Sequence, residues 1–181
     1  MIRFFTLFIL SIFLATTAGC GYTRASLLPA DTDSVHVANF KNEINPAGEV
    51  SDKRATYFYQ PGLETNITRS VIDRFIFDGY LNIKSEKEAD LLLKGSLIDL
   101  EQYPLSYSEG GGNVEEFRIE VIVNIELYDN KTGKLIWKEK NFMGRTSYDV
   151  IGPDAKTESQ ATLIAVKDLA QRIVEKTVEA W

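Results

Sequence analysis

The chain has a single cysteine, Cys20, and a single histidine, His36, in 181 residues. One cysteine cannot close a disulfide within the chain, and one histidine leaves a metal ion without a second imidazole ligand. The patterns HExxH, GxSxG and CxxC, which accompany zinc, serine and dithiol chemistry, are absent from the sequence. Adjacent carboxylates such as Glu115 and Glu116 face opposite sides of a strand and share no site. We therefore expect no enzymatic activity, no metal site and no cofactor, and we expect His36 to lie on the face of a strand.

The sequence also lacks an excess of basic residues and a long apolar run. It has 26 acidic against 20 basic residues, a net charge of −6. Proteins bind the phosphates of nucleic acids with clustered Lys and Arg, so we expect no nucleic-acid partner. The longest apolar run, at residues 4–14, has about 11 residues, whereas a helix that crosses a bilayer needs about 20. We expect no transmembrane helix in the mature protein.

Cys20 directly follows a segment with the layout of a secretory signal peptide. Arg3 precedes the apolar run, and small residues fill positions 15–19. Three roles are open for the thiol: an inert buried side chain, a catalytic nucleophile, or a site of lipid attachment. The junction is a processing site rather than part of a core, and the sequence does not place His36 beside Cys20 as a base. These points favour lipid attachment.

The sequence TAGC that ends at Cys20 resembles the lipobox of bacterial lipoproteins, with Thr17 at the position where leucine is usual. The resemblance implies that residues 1–19 are removed as a signal peptide. Cys20 would then carry a thioether-linked diacylglycerol and an acylated amine, with palmitate among the attached acids, and two or more acyl chains hold a protein firmly on a membrane. Gly21, in place of aspartate, implies the outer membrane. We predict a protein anchored there on the periplasmic side, with residues 20–33 as a lipidated tether.

Residues 34–181 are predicted to form one domain. Apolar residues recur with helical spacing in 61–80 and 157–181, which predicts two amphipathic helices. Alternating patterns predict strands at 34–40, 81–85, 89–105, 113–129 and 134–150. The polar stretch 41–60 is predicted to be a long loop, and the three glycines at 110–112 a hairpin tip.

The strongest strand pattern lies at residues 113–129. Its apolar face consists of Phe117, Ile119, Val121, Val123, Ile125 and Leu127. Its other face carries charged side chains such as Glu116, Arg118 and Glu120, so one face is buried and the other is in water or against a partner. Together with the two helices, this pattern predicts an α+β fold, a two-layer sandwich in which both helices pack on one face of a mostly antiparallel sheet.

Several segments together resemble the lipopolysaccharide-assembly lipoprotein family, LptE. They are GCGY at 19–22, YQPGLETNITRSVIDRF at 59–75, ADLLLKGSL at 89–97, EEFRIEVIVNIELYD at 115–129, TGKLIW at 132–137 and DLAQRIVEKTVEAW at 168–181. The resemblance implies a non-enzymatic plug inside the outer-membrane β-barrel LptD, which assists assembly of that barrel and the placing of lipopolysaccharide on the cell surface. A barrel interior is polar, which agrees with a charged outer strand face.

The resemblance also implies contact with lipopolysaccharide through basic residues near one end of the domain. The candidates are Lys156, Arg145 and Arg118, since Lys and Arg favour phosphate-bearing ligands. Plain surface charge is the alternative for all three residues. For the whole protein, VHVANFKN at 35–42 leaves a second interpretation open, another periplasm-facing outer-membrane lipoprotein such as a peptidoglycan-synthase activator or a secretion-pore component.

Overall fold

The computed structural model of the protein describes residues 28, 32–44, 56–57 and 60–178. These residues form one sheet and two helices. The elements follow one another as β1 (Ser34–Val37), β2 (Lys41–Asn42), β3 (Thr56–Tyr57), α1 (Leu63–Asp78), β4 (Asn82–Ile83), β5 (Leu91–Tyr107), β6 (Val114–Asp129), β7 (Leu135–Asp149) and α2 (Glu158–Val178).

The sheet has the strand order β4-β1-β5-β6-β7, with β2 and β3 also paired to β5. Strand β1 runs parallel to β4 and β5, and β2 is parallel to β5 as well. The long ladders between β5 and β6 and between β6 and β7 are antiparallel. Both helices contribute to the single apolar core on one face of the sheet. This arrangement confirms the predicted two-layer α+β sandwich.

The region before α1 differs from the sequence prediction in two ways. The predicted loop 41–60 contains β2 and β3, which are too short to show a periodic pattern. A strand over the whole of 34–40 would place Phe40 on the face opposite Val35, but β1 ends at Val37, so alternation no longer decides the direction of Phe40. Phe40 is 3% exposed and lies in the same core as Val35. Its backbone N–H donates to Thr68 Oγ1 at 2.9 Å, which ties this segment to α1.

Helix α1 follows the predicted spacing. Its buried apolar residues are Leu63, Ile67, Val71 and Phe75. The helix ends at Gly79, whose φ of 73° is left-handed and therefore favours glycine. The N–H of Gly79 donates to the carbonyl of Phe75 at 3.0 Å, which closes the last turn.

Helix α2 begins with a capping box. Thr157 Oγ1 accepts from the Gln160 N–H at 3.3 Å, and Gln160 Oε1 accepts from the Thr157 N–H at 2.9 Å. The predicted stripe through Leu169, Ile173 and Thr177 is buried, whereas Trp181, which continues the stripe, lies outside the described residues. In the described part of the chain, neither helix has an apolar stretch that could cross a membrane.

Strand β6 supplies the centre of the core. Its residues Ile119, Val121, Val123, Ile125 and Leu127 are at most 1% exposed. On the neighbouring strand, Gly95 permits the Phe40 ring to lie against the backbone, because a Cβ at Gly95 would come within 2.1 Å of that ring. A glycine inside a strand pattern indicates either a bulge or a close backbone approach. At Gly95 it is the close approach, and a register shift in β5 falls farther along, between Leu97 and Asp99.

Asp90 joins three segments at one end of the sheet. Its Oδ2 accepts from Ser34 Oγ at 2.6 Å and from the Asp33 N–H at 3.3 Å, and Lys131 Nζ lies 2.6 Å from its Oδ1. The hydrogen bonds from Lys131 and Ser34 hold the pKa of the Asp90 carboxyl well below its usual range. The ionised group thus fixes the turn between β6 and β7 beside the start of β5.

Candidate interaction surface

The side of the sheet that faces away from both helices is polar. In β6, the residues that alternate with the buried ones point to this side, and all of them are half-buried. Cross-strand pairing adds neighbours from β5 and β7. We call this set the outer sheet face. Its members are Leu92, Lys94, Ser96, Asp99, Glu101, Tyr103 and Ser106 in β5, Glu116, Arg118, Glu120, Ile122, Asn124, Glu126 and Tyr128 in β6, and Leu135, Lys138, Met143, Arg145, Ser147 and Asp149 in β7, most of them polar.

One half of the outer sheet face carries two of the three predicted basic residues. Arg118 in β6 and Arg145 in β7 lie on adjacent strands, and Arg145 is directly opposite Glu120. Neither arginine forms an ion pair with another described residue. On the same face Arg118 is opposite Ser147, and Glu116 and Asp149 form the pair beyond it, so the arginines lie among carboxylates rather than in a purely basic patch.

Lys156, the third predicted basic residue, lies just beyond β7 and is exposed. Its backbone N–H donates to the carbonyl of Asp149 at 2.9 Å. The N–H of Val150 donates to the carbonyl of Glu115 at 3.0 Å, so this segment is held beside the start of β6. The predicted hairpin tip joins β5 to β6 at the same end of the sheet. All three basic residues therefore belong to the half of the domain that ends at this tip.

A compact cluster of four residues occupies the other half of the outer sheet face. Lys138 donates to Glu126 Oε1, and Tyr128 Oη donates to Glu126 Oε2 at 2.6 Å. Lys94 Nζ lies 5.0 Å from the centre of the Tyr128 ring. The hydrogen bond from Lys138 lowers the pKa of Glu126, and the bonds to Glu126 raise the pKa values of Lys138 and Tyr128. At neutral pH the cluster holds two ammonium groups and one carboxylate.

A cleft of about 370 Å³ opens beside this cluster, at the edge of β5 where its pairing changes from β1 to β2. Its walls are formed by Ala38, Asn39, Lys41, Glu43, Lys94, Gly95, Ser96, Asn124, Glu126 and Lys138. Lys41 and Lys94 are exposed, and within the described residues neither ammonium group pairs with a carboxylate. We call this feature the lysine cleft.

The sequence did not predict the lysine cleft. Alternation places Lys94 and Glu126 on outward faces of their own strands, but it does not say that they lie opposite each other. That pairing depends on the register between β5 and β6. Lys41 enters the cleft from the stretch predicted to be a loop. The proposed lipid site, Cys20, lies outside the described residues.

The fold and this surface define a class of protein. It is an α+β sandwich whose sheet packs one face against two helices and presents a mostly polar face on the other side, and this fold alone does not assign a function. A comparison with protein families matches residues 32–177 to LptE, described as lipopolysaccharide-assembly. The chain therefore belongs to the LptE family, as its sequence resemblance implied. This is a family of non-enzymatic outer-membrane lipoproteins, and its members take part in lipopolysaccharide assembly.

Comparisons with individual proteins give the fold alone. No curated protein matches the chain. Protein XCC0632 from Xanthomonas campestris is 12% identical, with a TM-score of 0.51 over 84% of this chain and 88% of that one. The hypothetical protein CT253 from Chlamydia trachomatis is 11% identical, with a TM-score of 0.51 over 83% of this chain and 97% of that one. The rare lipoprotein B from Shewanella oneidensis is 19% identical, with a TM-score of 0.43 over 80% and 90% of the two chains.

Proposed function

We propose that this protein is anchored to the outer membrane through lipid on Cys20, on the periplasmic side, and that its domain plugs the lumen of the β-barrel LptD. In this role it assists assembly of the barrel and the insertion of lipopolysaccharide into the outer membrane. Residues 1–19 serve as the signal peptide, residues 20–33 as the tether, and residues 34–181 as the plug.

The outer sheet face is the observation that carries this proposal. It extends across three long strands, alternates charges of both signs, and is covered by neither helix. The lumen of a large outer-membrane barrel is polar and wet, so a plug needs a surface that is complementary to polar groups and does not aggregate through apolar contacts. Family membership supports the same partner.

Purification of the full-length protein from detergent-extracted outer membranes of its own source tests the proposal. We expect a large β-barrel protein to accompany it in near-equal amount, identified by mass spectrometry. Recovery of a periplasmic synthase, or of a ring of identical subunits, would instead support the alternative class of outer-membrane lipoprotein and overturn the plug.

The Cys20→Ala variant tests the anchor. Without the thiol there is no site for the thioether-linked lipid, so we expect the protein to move from the outer-membrane fraction to the soluble periplasm. The matched variant Thr17→Leu restores the usual lipobox residue and should remain fully membrane-bound. Intact-mass measurement of the wild-type N-terminus should show acyl chains on Cys20. A Cys20→Ala protein that is processed normally and still fractionates with the membrane would contradict the proposed anchor.

Lipopolysaccharide is a proposed second ligand, bound through Lys156, Arg145 and Arg118 at the end of the domain that carries the hairpin tip. We expect Lys156→Glu to lower the affinity for lipopolysaccharide roughly tenfold, because a charge-assisted hydrogen bond to phosphate is replaced by repulsion. Lys87→Glu makes the same charge change in the turn before β5 and should leave the affinity unchanged. Equal affinity of the wild type and a folded Lys156→Glu protein would assign Lys156 to plain surface charge.

A further inference from the structure

The lysine cleft contains two cations, Lys41 and Lys94, that form no ion pair with another described residue. Both carboxylate oxygens of Glu126 are occupied, one by Lys138 and the other by Tyr128. Lys94 is left with the face of the Tyr128 ring at 5.0 Å, a contact that is weak at an exposed site and does not neutralise the ammonium charge. The second free cation is Lys41, whose backbone is held opposite Ser96 by the pairing of β2 with β5. The positions of both lysines are thus set by the sheet.

Neutral polar groups complete the cleft. Asn124 Oδ1 accepts from the Asn141 N–H at 3.0 Å, which orients the amide, while its NH₂ group has no partner among the described residues. The side chains of Ser96 and Asn39 also line the cleft without a hydrogen bond to another described residue. Hydroxyl and amide groups both donate and accept, and they are therefore suited to a peptide backbone.

The charges of the cleft favour a carboxylate over a phosphate. Two glutamates, Glu43 and Glu126, lie in the same walls as the lysines, and they would repel a dianion more strongly than a monoanion. All lining residues lie in or beside strands, so no helix N-terminus offers backbone N–H groups to a phosphate. A volume of about 370 Å³ is at the small end of ligand pockets.

We propose that the lysine cleft receives an aspartate or glutamate side chain from an extended acidic segment of the partner protein, with Lys41 and Lys94 as its counter-ions. The inference rests on the proposed function and names one point of contact within it. The chain has a net charge of −6, so an acidic segment is repelled by most of its surface. The cleft lies on the outer sheet face, so the contact continues the surface that meets the barrel. The contact sets the position and orientation of the domain inside its partner, because complementary charges contribute more to the specificity of binding than to its affinity.

Charge reversal of the two free lysines tests the inference. The full-length double variant Lys41→Glu/Lys94→Glu should retain about a tenth or less of the barrel recovered with the wild type from detergent-extracted outer membranes. The variant Lys87→Glu/Lys167→Glu makes the same change in net charge in the turn before β5 and on α2, and it should recover the barrel normally. The conservative variant Lys41→Arg/Lys94→Arg keeps both charges and should also bind. Thermal unfolding of each variant reports whether it is folded.

Each result decides a different question. Loss of the barrel from the charge-reversed variant alone, with the arginine variant still bound, supports the acidic contact. Equal recovery with the wild type and the charge-reversed variant overturns the contact and leaves the plug function standing. If the wild type recovers no barrel, both proposals fall.

If the charge-reversed variant keeps the barrel but loses binding to vesicles that contain lipopolysaccharide, the cleft binds lipid phosphate, and the acidic-segment inference is wrong. If the charge-reversed variant does not fold, the variant Lys41→Gln/Lys94→Gln replaces it in the test. This variant removes both charges without reversing them, and when folded it should recover less barrel than the wild type.

Discussion

Replacing Gly144 with alanine should lower the free energy of unfolding by about 3 kcal/mol, although the change adds only one methyl group. Gly144 lies in β7 directly beneath α2. A Cβ at this position would lie 2.4 Å from Leu169 Cβ, 2.5 Å from the Ala165 carbonyl oxygen and 2.5 Å from the Leu169 nitrogen. Two of these three atoms belong to the helix backbone, so no side-chain rotation relieves the overlap.

The alanine would force α2 away from the sheet. Leu169 and Ala165 are 0% exposed, and close-packed interiors transmit such a shift to their neighbours. The same movement would stretch the 2.9 Å hydrogen bond in which the Arg145 N–H donates to Asp168 Oδ2. The Gly144 position therefore determines how closely helix and sheet approach each other.

Chemical denaturation followed by circular dichroism measures the effect, with Gly112→Ala as the matched control. Gly112 lies in the hairpin tip, has no atom within 4 Å of an added Cβ, and does not require a left-handed backbone. Its replacement should change stability by less than about 0.5 kcal/mol. Equal destabilisation by the two substitutions would contradict the direct contact between α2 and β7.

The elements with long regular patterns could be predicted from the sequence. Strand β6 alternates along most of its length, and every second residue from Ile119 to Leu127 is buried as expected, with Ile122 the one apolar residue of this stretch on the opposite face. The helix stripes are equally regular, since every fourth residue of α1 from Leu63 to Phe75 is buried. The family resemblance depended on the order of these same elements along the chain, and the family match over residues 32–177 confirmed it.

Short elements and contacts between strands could not be predicted. Strands β2 and β3 have two residues each, too few to show a period. Phe40 follows the end of a strand, and its direction depends on the opening left by Gly95 in a different strand. The lysine cleft could not be predicted because it depends on the register of β5 against β6 and on the path of the chain from β1 to β2. The carboxylates of Glu116 and Glu120 beside Arg118 follow from the alternation of β6, but the position of Arg145 opposite Glu120 depends on the register of β6 against β7.

Phe75→Ala should destabilise the protein by about 4 kcal/mol, the largest effect we expect from a single side-chain truncation. Phe75 is 0% exposed and is the largest of the buried residues of α1. Its removal loses the transfer free energy of the ring and leaves a cavity that the close-packed core closes only in part. The free energy of unfolding, measured by chemical denaturation of the purified protein, checks this value.

Phe77→Ala provides a control with the same chemical change in the same helix, two residues farther on. Phe77 is 80% exposed, and the Arg74 guanidinium lies 5.2 Å from the centre of its ring. Loss of that contact costs about 0.5–1 kcal/mol, and the higher helix propensity of alanine offsets part of it. We therefore expect Phe77→Ala to change stability by less than about 1 kcal/mol. Similar losses from the two substitutions would mean that α1 does not present Phe75 to the sheet, and the burial stripe assigned to this helix would then be wrong.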